Sequence, residues 1–492
     1  MSQVIQNSSN YVTHPGFLSK MRYHRVPLSN VASNSLPISL NSVNLGEFRL
    51  SGGQVFNLGK SFIGYNYTVQ AAGAGLYNVV HEVGQDLCQW MSFGDGSNVN
   101  LADIQYSDRY VKMIRSLRTS KDEFNALDRE NCNYKSNALA SSNVLPFSRD
   151  GTTAGLQNAC SVDYDEVQYL RIAPNANQAL TVNRLLPLSC FKDSFIGMDK
   201  NMIFANECFL RFNTQYASRL CFTTTTPANP HIGAADIASG VAPPQYNNVY
   251  LYLAVETNDK LVEQVKSKML SGGIRMSIPF QYGYRHSSAA GATTSSLQLT
   301  LTQQFGRKLK RIITSPFNGN SEISQYTYDH SNVNSTKIST CRSSLDSVPL
   351  QDYALNCFNP EESINPLTTW TYPTAAGTGA GSIGSDDYRE MRPMLMGSAM
   401  PSYSEFQTNF FFSDNFGMNP MMKSDAASIE DADIDDGLTL VGVNKVYNVQ
   451  FENAYAATAA NNYGGASGIL AMYTFAYFVK DIVIDREGIK WM

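Results

Sequence analysis

The chain has 492 residues, with 37 Lys and Arg against 42 Asp and Glu and a formal net charge of −5. Charged residues make up 16%, hydrophobic residues 43% and aromatic residues 11%, a composition that supplies large buried cores and excludes disorder over most of the length. The slightly acidic balance excludes coating of nucleic acid by bulk charge, so any nucleic-acid role needs a local basic patch. A length near 500 suggests three domains of ordinary size, and two large all-β domains fit as well.

The first ten residues, Met1 to Asn10, hold no apolar core segment, and no basic residue precedes Lys20, so no secretory signal is expected. The most apolar run, Gly468 to Val479, spans twelve residues and includes Thr474. That is short of the roughly 20 a spanning helix requires, and a soluble protein is expected. The eight cysteines (Cys88, Cys132, Cys160, Cys190, Cys208, Cys221, Cys341, Cys357) are scattered without a C-x-x-C pair. They read as reduced thiols in a cytosolic setting.

Residues 1–42 are rich in Asn and Ser and carry neither helical nor strand periodicity, which predicts a polar arm able to clasp a neighbouring subunit. Strand patterns follow. Tyr65, Tyr67 and Val69 alternate with polar neighbours, as do Val249, Leu251, Leu253 and Val255. Ile274, Met276, Ile278, Phe280, Tyr282 and Tyr284 hold one face, and Leu297, Leu299 and Leu301 another. Alternation of this kind places one face in a core and the other toward water or a partner. Ile469 to Val479 is apolar on both faces, as expected of a strand between two layers or at an interface. Gly, Pro, Asn and Ser separate these strands, which disfavours parallel α/β folds and predicts an all-β chain.

Two segments have helical spacing. In Ser107 to Thr119, Tyr110, Val111, Ile114 and Leu117 form one stripe, and Ser107 or Asp108 is available as N-cap, predicting a surface helix lying on a sheet. In Asn258 to Leu270, Asn258 can cap, Leu261, Val262, Val265 and Met269 form the apolar stripe, and Gly272-Gly273 ends the helix. This second helix divides one strand-rich stretch, 43–257, from another, 272–492, with 258–271 as connector. The similar lengths permit a structural duplication without a sequence repeat. Long non-periodic insertions fall at about 126–160, 222–247 and 371–400, and suggest contact surfaces.

No motif carries catalytic chemistry. Gly379-Ala-Gly381-Ser-Ile-Gly384 matches a dinucleotide fingerprint in letters, but neither the preceding strand nor the following helix is present, so it reads as a surface loop. Glu430 to Gly437 resembles the start of a calcium loop. Counted from Asp431, the sixth position holds Asp436 and the twelfth Gly442, so the register is wrong and a solvated acidic loop is expected. Arg307-Lys308-Leu309-Lys310-Arg311 is the densest basic cluster, and its charges are expected to project from a sheet edge in a structural or inter-subunit role. The six histidines (His14, His24, His81, His231, His286, His330) are isolated, and sequons at Asn7, Asn66 and Asn334 read as chance matches. No residue is nominated as catalytic, cofactor-binding or metal-ligating, and no cofactor is expected.

Several pieces, in order, resemble the double jelly-roll major capsid proteins of virophages and polinton-like viruses. They are Val55 to Val69; Arg109 to Leu117 with Asp122-Glu-Phe124; Leu186 to Leu188 through Phe195-Ile-Gly197 and on to Phe212; Val249 to Phe280; Gln304 to Arg311; and Tyr328-Asp-His-Ser-Asn332. The resemblance runs from about residue 45 to the C-terminus and rests on shared order and spacing. It implies two consecutive eight-stranded antiparallel jelly-roll barrels and homotrimeric, pseudo-hexameric capsomers that tile the icosahedral shell of a DNA virus. The partners it implies are further copies of the chain, penton and minor capsid proteins, with no sequence-specific nucleic acid. The localisation it implies is the virion, assembled inside the host cell. No long C-terminal extension for maturation cleavage is evident. Two other readings remain: a lectin-like β-sandwich stacking sugars on Tyr and on Trp90, Trp370 and Trp491, and a β-rich glycoside hydrolase with a carboxylate pair.

Overall fold

The computed structural model describes residues 20–39, 42–70, 77–80, 87–96, 99–111, 144–146, 168–172, 179–215, 221–223, 245–288, 294–318, 338–350, 354–356, 412–416, 437–453 and 470–491. The motifs at 379–384 and 430–436, and nearly all of the three long insertions, lie outside them.

Eight strands build the first unit: β1 (Met21–Pro27), β2 (Leu45–Leu50), β3 (Val55–Gln70), β4 (Cys88–Asp95), β5 (Asn100–Gln105), β6 (Ala179–Pro187), β7 (Cys208–Thr214) and β8 (Gln245–Glu256). Helix α1 (Asp259–Gly272) follows. Eight more strands build the second: β9 (Ile274–Ser287), β10 (Thr294–Leu301), β11 (Lys308–Asn318), β12 (Ile338–Leu345), β13 (Val348–Pro349), β14 (Phe412–Asn415), β15 (Lys445–Asn453) and β16 (Leu470–Asp485).

The first unit pairs its strands as β1-β8-β3-β6 in one sheet and β2-β7-β4-β5 in the other; the second pairs them as β9-β16-β11-β14 and β10-β15-β12-β13. Adding eight to each number in the first unit yields the second. All these pairings are antiparallel. Short strands at Leu36–Pro37, Met202–Ile203, Leu355–Asn356, Leu438–Thr439 and Gly488–Trp491 extend three of these sheets. Two sheets whose four main strands cross in this order make a jelly roll, and the chain contains two in succession. The duplication permitted by length is therefore present in topology. A further small sheet orders Cys221–Thr223, Tyr77–Val80, Gln168–Ile172 and Val144–Pro146, all from connections of the first unit.

The alternating patterns are read by the fold as written. Leu251 and Leu253 turn inward, Leu297, Leu299 and Leu301 turn inward, and the intervening residues stay outside. In the first core Phe93 packs at centroid distances of 5.5 Å on Phe195 and 5.7 Å on Phe204. The segment after β6 reaches this core through a turn at Gly197, where an added Cβ would lie 2.2 Å from the Phe191 carbonyl oxygen.

The expected arm through residue 42 is corrected in part. Met21–Pro27 forms the edge strand β1, in register with β8 from Met21↔Glu256 to Pro27↔Tyr250. As an edge strand with mostly exposed side chains, it needs no apolar alternation, so the sequence showed no period there. The helix α1 matches its expectation. The Asn258 side chain accepts from the Lys260 N–H at 3.2 Å, Leu261 and Met269 are buried, and Gly273 at φ +73° returns its N–H to the Met269 carbonyl.

Candidate functional site: the seam between the two barrels

β16 is buried on both sides because two layers cover it. On one side Phe478 meets Phe305 at 5.6 Å, and Thr474 shares a hydrogen bond with Thr314 at 2.9 Å, inside the second barrel. On the other side Tyr473, Phe475 and Tyr477 meet the first barrel. Tyr106 stands edge-on to Tyr473 at 5.1 Å, and Tyr110 stands 5.5 Å from Phe475 and 6.2 Å from Tyr477. Successive odd positions of one strand thus supply a flat aromatic face, and the residues after β5 press onto it.

The residues that press are held rigidly. Tyr106 has φ +53°, which turns the chain sharply out of β5, and its carbonyl accepts the Tyr110 N–H at 2.9 Å as the first helical bond. Neither Ser107 nor Asp108 serves as the cap. The Ser107 hydroxyl donates to the Cys88 carbonyl at 3.1 Å, and Asp108 accepts from the Gln215 amide at 3.1 Å. The Tyr110 hydroxyl donates to the Lys192 carbonyl. Residues 107–111 are helical, and their side chains are at most 1% exposed. The expectation of a surface helix is therefore corrected over these residues, and the remainder to Thr119 lies outside the described residues. Helical periodicity found Tyr110 and Val111, but it cannot reveal that Ser107, Asp108 and Arg109 are also covered, because Ser107 and Asp108 turn to Cys88 and Gln215 of the first barrel and Arg109 to Tyr473 of the second, all distant in sequence. Arg109 places its guanidinium 5.5 Å from the Tyr473 ring centroid.

β9 completes the seam. Gly283 lies in register with Phe475, and an added Cβ there would lie 3.0 Å from the Gln105 carbonyl oxygen. The missing side chain lets β5 approach.

The basic cluster is corrected as well. β11 is an internal strand between β16 and β14, not an edge. Lys310 is 3% exposed and Arg311 is fully buried. The register with β16 shifts between Leu309 and Arg311, so Lys310 is a bulge and Arg311 stands opposite Tyr477, on the face that meets the first barrel. Arg307 pairs with Asp481 at 2.6 Å. Lys310 and Arg311 thus brace this sheet of the second barrel from within, while Arg307 and Lys308 stay half-buried.

Lys480 stands opposite Ile278 of β9, its ammonium 3.7 Å from the Phe280 ring centroid and 4.2 Å from that of Trp491. Burial pushes its pKa down to about 8, opposed by the Asp103 carboxylate of β5. The Trp90 indole donates to Asp103 at 2.6 Å, and Trp370 lies outside the described residues. Among the histidines, His24 is exposed on β1, His286 is half-buried, and the other four lie outside the described residues. Among the described residues no group of three metal-ligating side chains converges, and no helix is long and apolar enough to cross a membrane. Cys88, Cys190, Cys208 and Cys341 carry no disulfide.

No protein-family model matches this sequence, and no curated protein sequence matches it. The fold is similar to solved structures. The PBCV-1 protein VP54, a crystal structure fitted into a cryo-EM reconstruction of the virophage Sputnik, is 11% identical, with 96% of this chain and 97% of that chain covered at TM-score 0.50. A quasi-atomic model of the PBCV-1 virus capsid is 10% identical over 96% of this chain and 97% of that chain, at 0.49. The Faustovirus major capsid protein is 10% identical over 95% and 91%, at 0.48. By its repeated strand order, and by the first of these likenesses, the chain has the double jelly-roll fold of viral major capsid proteins.

Proposed function

We propose that this chain is a major capsid protein, a structural subunit whose homotrimers form pseudo-hexameric capsomers that tile an icosahedral viral shell. One observation carries the reading. A single chain builds the same eight-strand barrel twice and joins the copies edge onto face, through residues after β5 and the outward face of β16. Such a joint is heterologous, and repeated heterologous joints close into rings when the rotation permits. The function then lies in geometry and buried interface, not in a reaction. Penton and minor capsid proteins complete the shell, and the chain resides in the virion after assembly inside the host cell. The units of this proposal are a first barrel through residue 257, a connector at 258–271 and a second barrel at 272–492. The partner role of an N-terminal arm is confined to residues before β1.

Light scattering over a range of protein concentration and salt tests this reading. The expected result is a stable species of three chains that grows into hexagonal arrays visible by negative-stain microscopy. A monomer at every concentration would overturn it and direct attention to a glycan screen.

A further inference from the structure

The half-buried head of Lys480 rests on the faces of Phe280 and Trp491, and among the described residues no carboxylate or carbonyl hydrogen-bonds it. The charges nearby are committed elsewhere. Asp481 pairs with Arg307 at 2.6 Å, and Asp485 and Glu487 pair with Lys490 at 2.9 Å and 2.5 Å. Asp103 of β5 acts on Lys480 through its charge alone, and its carboxylate accepts from the Trp90 indole and the Gln105 amide. Phe280 is 6% exposed, whereas Trp491, in a short strand paired to β16, is 40% exposed. The amine is therefore dry on one side and open to reagents on the other. Burial without an ion pair disfavours the charged form and brings Lys480 to about 8, so at pH 8 about half of it is the neutral nucleophile, against under about 1% of an ordinary lysine. Lys490 is the reverse case: its bonds to Glu487 and Asp485 raise its pKa and keep it an ammonium.

We infer that Lys480 is a covalent site for aldehydes, conjugated and aromatic aldehydes above all, because the Phe280 and Trp491 rings flank the bond that forms. The amine lone pair attacks the carbonyl carbon, the nitrogen gives up its two protons, and the carbonyl oxygen leaves with them as water. A C=N bond replaces a C=O bond, and no oxidant or reductant is consumed. The rings can stack on the planar imine and on an aromatic group conjugated with it. The Asp103 charge favours the protonated imine for the same reason that it favours the ammonium. The site lies within one chain and does not depend on how many copies assemble.

Pyridoxal is the probe, with borohydride added to fix each imine as a secondary amine, and peptide mass mapping reads the extent of labelling at every lysine. In the folded chain at pH 8, Lys480 is expected to label about ten times faster than Lys260 and Lys268, which are exposed on α1. Its rate is expected to level off above pH 8, while theirs keeps climbing. In urea the preference is expected to vanish, because the rings no longer flank the amine. Trp491→Leu, at an exposed position, removes one ring and is expected to bring the Lys480 rate down toward that of Lys260. The parent-chain comparison needs no variant, so it decides the matter even if Trp491→Leu fails to fold. Labelling of Lys480 no faster than Lys260 and Lys268 in the folded parent chain overturns the site. So does a preference that persists undiminished in urea, or in a folded Trp491→Leu chain.

Discussion

The carboxylate of Glu256, the last residue of β8, accepts the backbone N–H of Lys20, just before β1, at 2.7 Å. The same oxygen accepts the N–H groups of Thr257 at 3.0 Å and Asn258 at 2.9 Å, at the entry to α1. One 4%-exposed side chain therefore fastens the edge strand of the first barrel to the start of the connector, and its charge complements the positive end of the helix. Glu256→Ala takes this acceptor from the N–H groups of Lys20 and Asn258, while the Thr257 N–H keeps the Lys20 carbonyl at 2.7 Å, and is expected to cost about 2–4 kcal/mol. Glu256→Gln keeps one acceptor oxygen and is expected to cost less. The check is the denaturant midpoint of the first unfolding transition, with its slope unchanged.

Tyr110 ties the barrels together through its ring, while its hydroxyl anchors it to the Lys192 carbonyl of its own barrel. Tyr110→Ala removes a fully buried ring and is expected to cost about 3–5 kcal/mol, whereas Tyr110→Phe keeps the ring, loses the bond to Lys192 and is expected to cost about 1 kcal/mol. Because the ring lies between Phe475 and Tyr477, the alanine variant is also expected to separate the two barrels' unfolding. Scanning calorimetry checks this as the appearance of a second, resolved transition.

Two glycines have opposite expected outcomes. Gly283→Val inserts atoms where even a Cβ lies 3.0 Å from the Gln105 carbonyl oxygen and 3.1 Å from its Cβ, so β5 must retreat and the melting temperature is expected to fall. Gly272 closes α1 with nothing within 4 Å of an added Cβ. Gly272→Ala is expected to stabilise by about 0.5–1 kcal/mol, through restriction of the unfolded chain and better helix propensity. Thermal melts of the two variants side by side check both signs.

Lys480 makes stability depend on alkaline pH. Burial lowers its pKa from the ordinary 10.5 to about 8, so between those values the unfolded chain holds the proton and the folded chain has lost it. The unfolded state binds more protons in that window, and stability contributed by this group rises with pH from about 8 to about 10.5. Below pH 8 both states are protonated and the full burial penalty is constant. Lys480→Met is expected to raise stability at pH 7 and to remove this rise. Melting temperatures of parent and variant across pH 7 to 10 check it through their difference, which cancels other titrating groups.

Much of the barrel scaffold was legible because a half-buried strand records its environment in a period of two. Leu251 and Leu253, Leu297 to Leu301, and Ile274 to Phe280 all point where their alternation says. The cap at Asn258 and the stop at Gly273 were legible because they act on neighbouring backbone groups. The apolar run to Val479 also announced a strand covered on both sides.

What the run could not announce was the identity of its second cover. That cover is Tyr106 and Tyr110, more than 360 residues earlier in the numbering, and pairing at such separation leaves no local period. For the same reason β1 read as a polar arm: its hydrogen bonds go to β8, and an edge strand can hold its place by backbone pairing while its side chains stay polar. Arg307 to Arg311 read as a charged edge because charge is ordinarily solvated. Only the pairing of β11 between β16 and β14 shows that Lys310 and Arg311 are enclosed. The sequence by itself determined which segments are strands and which residues face a core, since both are properties of neighbours along the chain. The tertiary structure alone decided the strand order, its repetition and the aromatic seam, because backbone pairing and contact between distant surfaces are not written in local alternation.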